Sequence, residues 1–260
     1  MNDKTKIVAI ACHKGGVGKT TTAASIGSLL SSSGFRTLLV DLDAQKNLTS
    51  TFLSPKFETD KTLYEAFRGL CDLPVVNVRE NLDIVPSSLD MGAIDTEIAS
   101  KIQRESILKR LLLPVQDQYD WILLDGPSQL AIATVNAFAA ATSVIVPLSC
   151  DAYAAEGLLQ LSQMVDVVSS GLNPGLKIDG ILVTRYHTRR SLDRLVEEDL
   201  RKRYGGLVFK TRIRENAAVV QAPVMCLDIA SFAPKSNGAL DYKNLLDELT
   251  LKMHRSFRYE

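Results

Sequence analysis

Ile7-Val8-Ala9-Ile10-Ala11-Cys12-His13-Lys14-Gly15-Gly16-Val17-Gly18-Lys19-Thr20-Thr21 joins an apolar run of strand length to a glycine-rich turn and then to a helical pattern that continues to about Ser32. Gly15, Gly16 and Gly18 let backbone N–H groups curl inward around an anion. The helix that begins at about Lys19 aims its free N-terminal amides and its dipole at the same point. In that arrangement Lys19 reaches the β and γ phosphates of a nucleotide, Thr20 offers its hydroxyl to Mg²⁺, and Thr21 hydrogen-bonds a phosphate. The pattern departs from the general form G-x-x-x-x-G-K-[ST], because His13 stands where the first glycine is expected and a second lysine, Lys14, precedes Gly15. Two ammonium groups beside one loop repel unless anionic oxygens compensate. Lys14 is therefore read as a phosphate contact, within its own subunit or across a dimer interface, with a solvated loop charge as the alternative.

Further apolar runs lie at 36–43, 82–87, 121–125, 143–148 and 176–184. They are apolar throughout rather than alternating, as expected where helices cover both faces of a sheet. Helical patterns separate them, one near 101–113 and a last one over about 238–253, with Gly34 and Gly171 placed where helices should stop. The succession predicts an α/β fold, a mostly parallel twisted sheet with helices on both faces, in a single domain over 1–260. Two runs end in carboxylates at the strand edge where open sheets bind ligands. Asp41 and Asp43 follow Leu38-Leu39-Val40, and Asp125 follows Ile122-Leu123-Leu124. An apolar strand ending in Asp is the arrangement that holds Mg²⁺ directly or through water. Taken alone, each carboxylate could equally be a cap or turn residue.

Composition narrows the class. A hydrophobic content of 46% supports a core, and four scattered cysteines (Cys12, Cys71, Cys150, Cys226) show no metal or redox spacing. They read as thiols in a reducing compartment. The three histidines, at 13, 187 and 254, are too dispersed for a metal site. No secretory pattern opens the sequence and no run reaches a membrane-spanning length, so a cytoplasmic protein is expected. Thirty Lys and Arg balance thirty Asp and Glu, which excludes a uniformly basic DNA-coating protein. The balance is uneven along the chain. Residues 185–214 carry Arg185, Arg189, Arg190, Arg194, Arg201, Lys202, Arg203, Lys210, Arg212 and Arg214 against Asp193, Glu197, Glu198 and Asp199. The stretch is thus +6 on a body of −6. Helical spacing places Arg190, Arg194 and Arg201 along one face. Such a face binds DNA phosphates without reading bases, or it is a solvated helix laced with ion pairs.

These motifs resemble the ParA/Soj family of partition ATPases, within the larger group that includes MinD, over nearly the whole chain. The loop from Lys14 to Thr21 resembles the family's deviant Walker A, and Asp41-Leu42-Asp43-Ala44-Gln45-Lys46-Asn47 resembles its D-x-D-P-Q-G-N switch. Asp125-Gly126-Pro127-Ser128 resembles D-x-P-P-S, and Ala154-Ala155-Glu156-Gly157-Leu158 a later helix start. Ala233-Pro234-Lys235-Ser236-Asn237-Gly238-Ala239 resembles Y-D-P-x-S-x-G-A. Departures are Ala44 and Lys46 in place of Pro and Gly, one proline after Asp125 rather than two, and Arg214-Glu215-Asn216 in place of Pro-Arg-Asn.

The resemblance implies an ATPase that converts ATP to ADP and phosphate with Mg²⁺, slowly and with stimulation by a partner. By it, Gly15, Gly16, Val17 and Gly18 cradle phosphate, Lys14 crosses an ATP-sandwich homodimer, and Lys19, Thr20 and Thr21 hold nucleotide and metal. Asp43 orients the attacking water, Asp125 is the Walker B carboxylate, and Asp41 supports Mg²⁺ and the loop. Base contacts are expected from Arg185, with Thr184, and from Asn216 to Pro223. Arg189 matches a position implicated in nonspecific binding of double-stranded DNA, with Arg190, Arg194, Arg201, Lys202, Arg203, Lys210, Arg212 and Arg214 around it, which implies a nucleoid-associated protein. No N-terminal helix-turn-helix domain is expected, so a ParB-like centromere-binding protein would read specific sites. Three other readings remain open: a MinD-like membrane ATPase using Leu245, Leu246, Leu249 and Met253 with the tail Arg255-Ser256-Phe257-Arg258-Tyr259; a metabolic synthetase or reductase sharing the loop; and an ATPase that positions a protein cargo.

Overall fold

In a computed structural model, which describes residues 5–54, 57, 59–151 and 153–256, the side chains being described to Leu251, the chain forms an eight-stranded sheet in the order β3-β4-β2-β5-β1-β6-β7-β8. The strands are β1 Lys6–Ile10, β2 Thr37–Asp41, β3 Val76–Arg79, β4 Leu82–Val85, β5 Trp121–Asp125, β6 Ser143–Ser149, β7 Ile178–Tyr186 and β8 Val208–Arg214. Every pairing is parallel except β3 with β4. This is the fold class read from the apolar runs, with two strands added. Their residues explain the omission: Val76-Asn77-Val78-Arg79 and Val208-Phe209-Lys210-Thr211-Arg212-Ile213-Arg214 mix apolar and polar side chains because both strands lie at sheet edges. An edge strand has a solvated flank and no need of a continuous apolar sequence.

Alternate residues of the central strands feed two cores. Val8 and Ile10 of β1 pack with Leu39, Leu123, Ile145 and Leu182 against α1 (Lys19–Ser32) and against Leu245 and Leu249 of the last helix. Ile7 and Ala9 pack with Val40, Leu124, Val146 and Val183 on the opposite face, against Phe138, Leu158 and Val165. The remaining helices, in chain order, are α2 Asn47–Phe52, α3 Leu63–Arg68, α4 Ile94–Glu97, α5 Ile107–Leu112, α6 Ile132–Ala140, α7 Ala154–Gly171, α8 Ser191–Tyr204, α9 Ala217–Gln221, α10 Ile229–Phe232 and α11 Asn237–Ser256. The helix expected near 101–113 is shorter, a single 3₁₀ turn at Arg104–Ser106 followed by α5. Gly34, at φ 87°, follows the end of α1 as expected, whereas Gly171 is the last residue of α7 rather than a residue beyond it.

The register positions the site. Ile10 and Asp41 both lie level with Asp125, one on each side of it, so three adjacent strands deliver the glycine-rich loop and two carboxylates to one edge. β8 closes the far side under α11. Glu248 accepts from the amides of Lys210 (2.8 Å) and Thr211 (2.9 Å), and Asp241 accepts from the amide of Arg214 (2.9 Å). The apolar stripe Leu245, Leu246 and Leu249 is buried against the sheet. Met253 and the tail Arg255-Ser256-Phe257-Arg258-Tyr259 lie outside the described side chains. Among the described residues no helix is long and apolar enough to cross a membrane.

Gly180 on β7 receives the ring of Phe209: a Cβ there would stand 2.1 Å from a ring carbon of this fully buried side chain. Gly180→Ala therefore forces the ring to move and should lower unfolding free energy by about 1–3 kcal/mol, measured by denaturant titration. An unchanged midpoint would show that the ring relocates freely.

Candidate active site

The turn after β1 carries the backbone that only glycine adopts easily, with φ 73° at Gly16 and 89° at Gly18. Gly18 is also the N-cap of α1 and offers no side chain to its amides, so the first-turn N–H groups face the cleft uncapped. Lys19, buried at the head of that helix, donates from Nζ to the carbonyl of Lys14 and to Oγ of Ser128, each at 2.9 Å. Burial holds its ammonium below the usual lysine pKa, opposed by Cys12, Asp125 and Asp43.

Asp125 is fully buried at the end of β5, and no group but the Thr20 hydroxyl comes near enough to offer its oxygens a hydrogen bond. Burial first, then the negative charge of Asp41, raises its pKa well above the carboxylate range, and only Thr20 and Lys19 lean the other way. A buried carboxylate with so few partners is costly. A divalent cation held between it and the Thr20 hydroxyl is the compensation that fits, so the residues present suit Mg²⁺.

Asp41, expected to support Mg²⁺ and the loop, is hydrogen-bonded through both oxygens. Its Oδ1 accepts from the Asp43 amide (3.1 Å), and its Oδ2 from the Thr49 amide (2.8 Å) and hydroxyl (2.7 Å). Both oxygens bind the switch segment, so Asp41 organises the loop, as expected of it alongside its support of Mg²⁺. Burial raises the Asp41 pKa to about 6 despite those bonds. Thr49, which no sequence motif marked, relays the contact onward by accepting from the Ser87 amide at 3.0 Å. Asp43 stands partly buried at the cleft and accepts from the Gln45 amide at 2.9 Å. Lys46 sits at φ 46°, a left-handed position where glycine carries no Cβ penalty, which accounts for glycine in the resembling motif.

Gly16, Gly18, Lys19, Thr20, Thr21, Asp43 and Ser128 share a cleft of about 470 Å³ that runs to Pro223 and Asp228. A neighbouring cleft of about 380 Å³ brings together Thr184, Arg185, Asn216, Pro223 and Tyr242. Arg185 lies at φ 51°, with one guanidinium nitrogen 3.5 Å from the Gly16 carbonyl and another 3.4 Å from Glu215. The Asn216 side chain accepts from the Ala218 amide and caps α9, which commits its oxygen.

The Lys14 ammonium is paired to a carboxylate, with Nζ 2.6 Å from Asp151 Oδ2. Burial pushes the Asp151 carboxyl up, but Lys14, Ser149 and the Tyr153 amide together hold it below its ordinary value. Sequence reasoning did not single out Asp151. It lies just beyond the apolar run of β6, and that position at a strand's carboxyl end was the available signal.

The basic stretch does not form one stripe. Arg190 precedes α8 as its N-cap, and Arg201 turns inward with Arg212 onto the buried Glu197, at 2.7 and 2.8 Å. Arg212 also stacks over the Tyr186 ring, and Arg214 makes a forked pair with Asp241. These three arginines are each paired to a buried acid, although Arg212 stays exposed. Arg189, Arg190 and Arg194 are exposed at the sheet edge that holds the cleft, while Lys202 and Arg203 are exposed in the last turn of α8, about 12 Å or more away by helix rise, and Lys210 is exposed on β8. Asp193, buried, accepts from the His187 amide at 2.7 Å and fixes the turn that presents Arg189 and Arg190.

A parallel sheet with a glycine-capped phosphate loop and a facing strand-end aspartate defines a P-loop nucleotide-binding protein. Comparisons narrow that class. A family model described as an AAA domain matches residues 5–178. The chain is 38% identical to the sporulation initiation inhibitor protein Soj of Bacillus subtilis, over 94% of this chain and 98% of that one. It is similar to cobyrinic acid a,c-diamide synthase from Mycobacterium smegmatis with bound ADP and magnesium (TM-score 0.83, 32% identity, 95% of this chain and 94% of that one). It is also similar to a putative plasmid partition protein from Borrelia burgdorferi bound to AMPPNP (TM-score 0.82, 27% identity, 96% of this chain and 100% of that one). The chain belongs to the ParA/Soj family of partition ATPases.

A carboxyl pKa raised in the folded state gives stability that is full below its unfolded value near 3.9 and lost as pH rises through the folded value. With Asp41 at about 6, the nucleotide-free protein should melt at progressively lower temperature as pH rises through that value. Asp125→Asn removes the neighbouring charge and should flatten the dependence while abolishing the extra stabilisation by Mg²⁺ with nucleotide. Equal pH profiles for the two proteins would show that the carboxylate pair is not the source.

Proposed function

We propose that the chain is an ATP-driven partition ATPase that binds DNA nonspecifically as an ATP-sandwich dimer and leaves it on hydrolysis. The observation that carries the nucleotide half is the buried Asp125 beside Lys19 and the uncapped start of α1. The loop amides and Lys19 bind the phosphates, Thr21 adds a hydroxyl, and the Arg185–Asn216–Pro223 cleft takes the base. Thr20 and Asp125 would hold Mg²⁺, which when bound neutralises phosphate charge. Asp43 holds a water in line with the terminal phosphorus, and its carboxylate needs only to orient the water. Lys14 exchanges Asp151 for the phosphates of the partner subunit, so that charge neutralisation is complete only in the dimer. Turnover is slow until a ParB-like protein stimulates it.

The DNA half rests on Arg189, Arg190 and Arg194, which share the nucleotide edge and are doubled in the dimer. A cytoplasmic, nucleoid-associated protein follows. Asp43→Ala should keep ATP binding and dimerisation and lose hydrolysis, read by phosphate release beside size-exclusion chromatography; wild-type turnover removes Asp43 from the mechanism. Arg189→Ala with Arg190→Ala should weaken retardation of random-sequence DNA and flatten its salt dependence by about two charges. Arg201→Ala should instead lower stability by about 1 kcal/mol, since it removes one of the two arginines on the buried Glu197 and leaves Arg212 in place. Failure of the ATP-bound dimer to retard DNA at low salt would overturn the DNA reading.

A further inference from the structure

Ser128 lies on the turn after β5, where it abuts the glycine-rich loop: a Cβ built on Gly15 would stand 3.8 Å from its hydroxyl oxygen. That oxygen accepts from the Lys19 ammonium at 2.9 Å. Among the described residues its own proton is given to no acceptor. Ser128 shares the main cleft with Asp43, Lys19 and Thr20, and is absent from the neighbouring cleft of Arg185, Asn216 and Tyr242. The hydroxyl therefore sits beside Lys19 and the phosphate loop, apart from Arg185, Asn216 and Tyr242. It is fixed by the same ammonium that takes phosphate, with an O–H donor left to give.

We infer that Ser128 reads the terminal phosphate of the nucleotide, donating to one of its oxygens while Lys19 holds the hydroxyl in place. An oxygen that accepts from an ammonium donates more strongly, because each hydrogen bond polarises the next. Its acceptor is an anionic oxygen, so the bond is charge-assisted. ADP lacks that phosphate group. Ser128 thus distinguishes a triphosphate from a diphosphate, whereas the loop amides and Lys19 serve both. The inference rests on the nucleotide-binding reading above.

Isothermal titration of the full chain with ADP and with AMPPNP, each with Mg²⁺, tests it. The wild-type protein should bind both. Ser128→Ala should weaken AMPPNP about tenfold and ADP less than about twofold, as loss of one charge-assisted bond to a single ligand requires. Ser128→Thr keeps the hydroxyl and should stay near wild type. Equal loss of both ligands in Ser128→Ala, an unchanged AMPPNP affinity, or a Ser128→Thr as weak as Ser128→Ala would overturn the role of Ser128 while leaving nucleotide binding intact. A wild-type protein that binds neither ligand would overturn the nucleotide reading itself.

Discussion

The structure depends on a buried imbalance of charge. Asp41 and Asp125 stand level on neighbouring strands, fully buried, with the Lys19 ammonium nearby and itself held down by desolvation. Asp41 is reconciled to its position by Thr49 and the Asp43 amide, which ties the switch segment to the sheet. Asp125 has nothing comparable. Desolvated charge is tolerated where a ligand completes it, and this is how a functional site differs from a core. The loop glycines, the uncapped helix and the strand-end carboxylates are parts of one electrostatic arrangement suited to a polyanion and a cation together.

Much of this was legible in the residues. The central strands read as uninterrupted apolar runs because both faces are covered, and the helix from Lys19 to Ser32 has the bounds that the loop and Gly34 imply. Edge strands β3 and β8 were not legible, since their mixed residues serve a solvated flank. The roles of Asp41 and Asp125 were not separable from sequence, because both end apolar strands. What distinguishes them is a threonine eight residues on, brought back by α2. Ser128 was visible as part of a motif, but its bond to Lys19 spans 109 positions and exists only once β5 lies beside β1.

The basic stretch shows the opposite limit. Composition places ten cations within thirty residues, and charge counting treats them alike. The fold divides them by partner. Glu197 and Asp241 are buried acids that absorb Arg201, Arg212 and Arg214, so part of the local excess is structural rather than available to a ligand. The rest is separated along α8 and β8 into a group beside the nucleotide edge and a group away from it. Only the first lies at the edge that carries the phosphate loop, on the turn that the Asp193–His187 contact fixes between β7 and α8.

The clamp of α11 on β8 has a consequence for assembly. A terminal strand with open amides is a template on which another chain can extend the sheet. Here Glu248 and Asp241 occupy outward amides of Lys210, Thr211 and Arg214. Growth of the sheet by strand addition is thereby opposed along that border, and copies of the molecule that meet there do so through side chains and loops. Such contacts can be made and dissolved within a working cycle, whereas a continuous ladder of backbone hydrogen bonds would lock the molecules into a fibre.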